Sequence, residues 1–179
     1  MRLDLLALLL ILALGATWLM RPRRGGGGGG RRPVRGPAGD LRAVARRLGY
    51  ELEGEGHPAD RIRDARIAAV GIMLAIGGLD GRVTRDEAEQ MAVEAQLTFQ
   101  CGPRETADLF AIAYWILRRF DNGDQAIDKL SHVVADLAGE AAAPDLIRMA
   151  TAAAEFAGPA TPQAEAAIER IRQVFNVNV

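Results

Sequence analysis

A single cysteine, Cys101, excludes an internal disulfide in this chain of 179 residues, a usage that fits a reducing compartment. Only two histidines are present, His57 and His132, and neither has a nucleophile motif around it. Enzyme chemistry therefore has no evident starting point in this sequence. Cys101 precedes an expected helix N-terminus, so it is either a stabilised thiolate or a packed residue. His132 reads as a helix-surface or core histidine. The six consecutive glycines at 25–30 are low complexity, not a phosphate-binding loop. Strand-like alternation is absent from residue 58 onward, which leaves an all-α domain.

What is present is apolar and unevenly charged. With 49% hydrophobic residues, the chain suits one domain plus an appendage and is long enough to bury a core. Its 22 basic and 23 acidic residues nearly cancel, but arginines crowd the first third. That pattern points to a membrane surface or another polyanion near the N-terminus and away from a basic nucleic-acid-binding domain.

Residues 5–20, LLALLLILALGATWLM, carry no charge. At helical rise they span roughly 24 Å, and edge residues together with local thinning of the bilayer make up the difference to a hydrocarbon core of about 30 Å. A cleaved signal peptide is the rival reading. Against it, no A-x-A site closes the run, and RPRR follows at once. We therefore expect residues 1–20 to be an uncleaved single-pass anchor in a bacterial inner membrane, with the N-terminus outside and the domain in the cytoplasm. Ala13 and Thr17 have small-x-x-x-small spacing, which permits a homodimer through this helix.

Residues 21–39 have almost nothing apolar to bury and should form a flexible Gly/Arg-rich linker. Arg21, Arg23, Arg24, Arg31, Arg32 and Arg35 either lie along anionic lipid or are simply solvated. The domain then occupies 40–179. Leu41, Val44, Ala45 and Leu48 mark a short amphipathic helix that packs either on the domain or on the membrane.

Six longer helices are expected. The first covers about 58–78 and turns apolar all round in IAAVGIMLAIGGL, too short to span a bilayer and therefore the central core helix. The second, about 84–98, turns Ala88, Met91, Ala92 and Ala95 inward. The third runs from Pro103 to about Phe120, with Ala107, Phe110, Ala111, Tyr114 and Leu117 on one face. A fourth, about 124–138, shows Ile127, Leu130, Val134 and Leu137. The fifth starts at Pro144 with Leu146, Met149, Ala150 and Ala153. The last starts after Thr161 and buries Ala164, Ile168, Ile171 and Phe175. Short links imply a compact bundle of about six to seven helices.

The stretch LDGRVTRDE, residues 79–87, poses the functional question. Asp80, Gly81 and Glu87 match the second half of a calcium loop, but Ile76 and Gly78 stand where two oxygen ligands belong. Asp80 and Glu87, with Asp86, are thus the candidate metal ligands. The competing reading is a turn followed by a Thr84–Glu87 capping box. A weak repeat bears on the choice: AIGGLDGRVTRDEAEQM and AAEFAGPATPQAEAAI share a glycine turn and a threonine cap, yet Ala157 replaces Asp80.

The segment from about Ala65 to Val177, with DGRVTRDEAE and DLIRMATAAAEFAGPATPQAEAAIERIRQVFNV, resembles the tellurite-resistance TerB-like domain. The layout of anchor, glycine-rich joint and helical domain is similar to the N-terminal region of the membrane co-chaperone DjlA. The resemblance implies an all-helical fold and acidic residues at Asp-Gly turns as metal ligands, of which Asp80 and Glu87 match here while the second turn departs. HPAD at 57–60 is not the His-Pro-Asp signature of a J domain, because an alanine intervenes. No J domain is expected, and His57 and Pro58 read as a loop and helix start. The expected function is a non-catalytic module that recruits an unknown protein partner at the membrane under envelope or metal stress. The alternative is a divalent-metal-responsive sensor.

Overall fold

The structure, a computed structural model, describes residues 37–79, 81 and 83–176. The expected anchor, the linker arginines and Asp80 lie outside the described residues. Seven α-helices and two 3-10 turns are present, with no strand among the described residues, as the all-helical expectation requires. No helix among them is long and apolar enough to cross a membrane.

The first helix, Pro37–Arg47 (α1), begins inside the stretch expected to be linker. A proline suits this first turn, where no backbone N–H is needed. Val44 and Ala45 are buried, with Leu41 and Leu48 packed beside them, so this helix lies on the domain. Its Arg47 grips Asp108 with two hydrogen bonds of 2.6 and 2.5 Å. Asp108 is only 7% exposed, and a carboxylate that deep needs such a partner. Beyond the helix, burial raises the pKa of the Tyr50 phenol, which donates to the Pro58 carbonyl at 2.8 Å.

The single helix expected over 58–78 is in fact two elements. A 3-10 turn, Pro58–Arg61, is followed by an extended link and then by Ala65–Gly77 (α2). Two side chains make the break: His57 Nδ1 accepts from the Ala59 amide at 3.2 Å, and Asp64 accepts from the Arg66 amide at 3.0 Å. Each caps its own start and so interrupts a continuous helix. From Ile67 to Ile76 every residue of α2 is buried, as expected of the central core helix.

Four helices surround α2: Arg85–Phe99 (α3), Pro103–Leu117 (α4), Gly123–Ala138 (α5) and Ala143–Glu155 (α6). The last, Pro162–Val174 (α7), packs across α5 and α6, while α1 covers the outer side of α4. Ion pairs lace the periphery. Arg66 bonds Asp64 and also Glu105 at 2.7 Å, joining the starts of α2 and α4. The hydrogen bond to Asp64, followed by that to Glu105, raises the pKa of Arg66 above its ordinary value. Arg170 bonds Asp124 and Asp128, joining α7 to α5.

Two expected faces differ from the observed ones. In α4 the buried side is Leu109, Ile112, Ala113 and Ile116, whereas Ala107 is exposed and Tyr114 is 45% exposed. The helix lies between α2 and α1 and needs apolar residues on two sides, so Phe110, Ala111 and Leu117 pack as a half-buried second face. It also ends at Leu117, short of Phe120. Leu137 is 42% exposed and sits in the last turn of α5, where residues 138–141 are exposed too.

At Gly71 α5 packs tightly on the axis: a Cβ there would stand 2.7 Å from Leu130 Cδ1, in a side chain only 1% exposed. Glycine inside a helix costs about 1 kcal/mol relative to alanine, and the close approach of α5 offsets it. Gly71→Val should therefore overpack the core and lower the free energy of unfolding by about 1–3 kcal/mol in chemical denaturation. An unchanged midpoint would show that α5 does not press on this position.

Candidate interaction surface

The link from α2 to α3 follows the capping reading of LDGRVTRDE. Gly81 has φ +156°, a conformation open to glycine. Thr84 then caps α3: its hydroxyl accepts from the Glu87 amide at 3.3 Å, and the Glu87 carboxylate accepts from the Thr84 amide at 2.8 Å. This is a complete capping box. Asp86 lies exposed in the first turn of α3, where its charge complements the helix dipole. Of the three candidate metal ligands, Glu87 is thus engaged in the cap, Asp86 faces solvent, and Asp80 is outside the described residues. No group of three or more potential metal ligands occurs among the described residues.

The repeated turn has the same construction. Gly158 has φ +141°, and the Thr161 hydroxyl accepts from the Ala164 amide at 3.2 Å to open α7. Ala164 occupies the position of Glu87, so the second cap lacks the returning carboxylate. Thr84→Ala should lower the free energy of unfolding by about 1 kcal/mol, equally with and without divalent ions. A loss that appeared only in the presence of an ion would point to a metal site instead.

The remaining candidate groups serve the structure. His57 accepts from Ala59 through Nδ1, so Nε2 carries the proton and donates to the Arg119 carbonyl at 3.3 Å, while the ring packs on Phe120. His132 is exposed, and its Nδ1 donates to the Asp128 carbonyl at 2.8 Å. The Thr106 hydroxyl donates to the Gly102 carbonyl, which leaves its oxygen to accept from the Cys101 thiol at 3.3 Å. Cys101 is therefore a packed, half-buried thiol.

The outer side of α3 is different. This helix buries only Met91 and Ala95, and on its opposite side Val93 is 56% exposed and Leu97 70% exposed. Val93 lines an open depression of about 570 Å³ with Phe156, Gln90 and the carboxylates Asp86, Glu89 and Glu94. Leu97 lies one turn further along. Glu94 is held by a short contact to Arg148, which also donates to Thr98 at 2.8 Å, so α3 is pinned against α6. Sequence reasoning identified the inward residues of α3 but passed over Val93 and Leu97. Their spacing of four, half a helical turn away from Met91 and Ala95, was the available signal.

The fold and this surface define an all-helical bundle that presents an apolar, acid-rimmed helix face. No known protein family, curated protein or solved structure matches the chain.

Proposed function

We propose that this chain is a membrane-anchored, non-catalytic interaction module of the TerB-like kind, co-chaperone-related and stress-associated, that recruits a protein partner through α3. The observation that carries the reading is the pair Val93 and Leu97, the most exposed large apolar side chains among the described residues. Two such side chains at helical spacing beside a depression suit an amphipathic helix laid into a groove. Asp86 and Glu89 on the rim favour a partner with basic flanking residues. The TerB-like part of the reading rests on the motifs DGRVTRDEAE and DLIRMATAAAEFAGPATPQAEAAIERIRQVFNV, with an all-helical fold as its requirement. The arginine excess after residue 20 supports a single pass through a bacterial inner membrane with the domain on the cytoplasmic side.

A photo-crosslinking residue at Leu97 should give a discrete adduct in native membranes, and one at exposed Gln163 on α7 should not. Leu97→Glu should abolish that adduct from a crosslinker at Val93 while changing stability by no more than about 0.5 kcal/mol, as an exposed site allows. Equal crosslinking from both helices would remove α3 from the account.

The divalent-metal sensor is the competing reading, and the bidentate ligation that a calcium loop asks of its last glutamate would draw Glu87 Oε2 away from the Thr84 amide. Calorimetric titration of the full chain with calcium or other divalent ions should give no saturable heat at micromolar concentration. A saturable heat lost in Asp80→Ala would favour the sensor.

A further inference from the structure

We propose that the C-terminal end of α4 is a second, folded contact with the membrane, recognising the surface of an anionic bilayer. Tyr114 is 45% exposed, Arg118 and Arg119 are exposed, and the half-buried Trp115 lies between them. Tyr114 and Trp115 lie in the last turn of α4 and the two arginines directly follow it, while Leu109, Ile112 and Ala113 face the core. Trp115 and both arginines line a depression of about 280 Å³.

The chemistry of the patch is that of a bilayer interface. Tryptophan and tyrosine concentrate at headgroup depth because each joins an apolar ring to a polar tip. Arginine supplies charge for lipid phosphates and a planar fork of donors that suits them. Among the described residues neither Arg118 nor Arg119 is in an ion pair; the Arg119 guanidinium instead stacks 5.0 Å from the centre of the Trp115 ring. The acidic neighbour in the chain is the exposed Asp121, and Glu51, Glu53 and Glu55 are exposed in the segment that follows Tyr50, so the attraction is assigned to the two guanidinium groups and the rings and not to a net positive charge. Arg47 pairs with Asp108 and Arg66 with Glu105. Arg118 and Arg119, like the exposed Arg46, Arg63 and Arg104, are in no such pair among the described residues, and what sets them apart is the two aromatic side chains next to them in the chain.

The patch is also held rigidly. Trp115 packs edge-on against Tyr50 with ring centres 6.1 Å apart, and the Arg119 carbonyl accepts from His57. Bilayer contact therefore needs no ordering of this segment. The patch binds by its own affinity, and the proposed anchor would add to it by raising the effective concentration of bilayer around the domain.

The test uses residues 35–179, which form one compact unit with their own core and contain Trp115 as the sole tryptophan. Vesicles of phosphatidylglycerol and phosphatidylcholine should shift Trp115 emission to the blue and sediment the unit, and 0.5 M salt should release it. Pure phosphatidylcholine should do neither. Replacing Arg118 and Arg119 together by glutamine should weaken binding by roughly 25-fold, at about fivefold per arginine, with the circular dichroism spectrum unchanged. Arg85→Gln, on α3, should leave it unaltered. Tyr114→Ser should reduce the blue shift without affecting the fold. Equal binding to both vesicle types, an equal loss in Arg85→Gln, or binding to a DNA duplex but to no vesicle would each overturn the proposal. Because this unit lacks the apolar run, extraction of the full chain from membranes by alkaline carbonate would count against the anchor alone.

Discussion

The structure depends on one helix that has no polar side to offer water. From Ile67 to Ile76 α2 carries only apolar side chains and a glycine, and all of them are buried. Each large aliphatic side chain so covered contributes on the order of 1.5–3 kcal/mol, but only if the cover is complete. A helix of this kind cannot lie on a surface. It requires neighbours around its whole circumference, and α3, α4, α5 and α6 supply them, each with buried apolar residues turned inward. Gly71 and Gly77 shape this cover, since a Cβ at either would meet Leu130 or the Met91 methyl.

The surrounding helices do not share that task equally. Met91 and Ala95 are the buried residues of α3, whereas α4, α6 and α5 each bury five or more. Beside Met91, Ala95 and the half-buried Phe99, α3 is tied to α6 by Arg148 against Glu94 and Thr98, and its start is fixed locally by the capping box at Thr84 and Glu87. Its outer face is thereby left free of structural duty. Such a helix can expose apolar side chains without weakening the core, which is the physical premise of the proposed recruitment through α3.

Much of this was legible in the sequence because local chemistry agreed with the fold. Thr84 and Thr161 cap the helices they were expected to cap, Pro103 and Pro162 stand in first turns, and the run IAAVGIMLAI forms the core helix. The failures have physical causes. In LFAIAYWIL apolar residues occupy every side of α4, so periodicity alone does not choose the face; the choice is made by α2 on one side and α1 on the other. His57 and Asp64 look like ordinary polar residues until their side chains are seen to accept from amides two residues on, which divides one expected helix into two elements. Val93 and Leu97 were missed because attention to inward residues leaves the outward face unread. The candidate metal site was legible as half a calcium loop. The structure engages Glu87 in a cap, and Asp80 falls outside what it describes.

The central claim is that α2 is the fully covered axis and α3 the helix it holds least. Native-state hydrogen exchange resolved to individual amides tests it most directly. Amides of residues 70–76 should exchange only through global unfolding, while those of 88–97 in α3 exchange through a local opening of lower free energy. If α2 opened as readily as α3, or if α3 were protected to the global limit, the account of how this fold is organised would be contradicted.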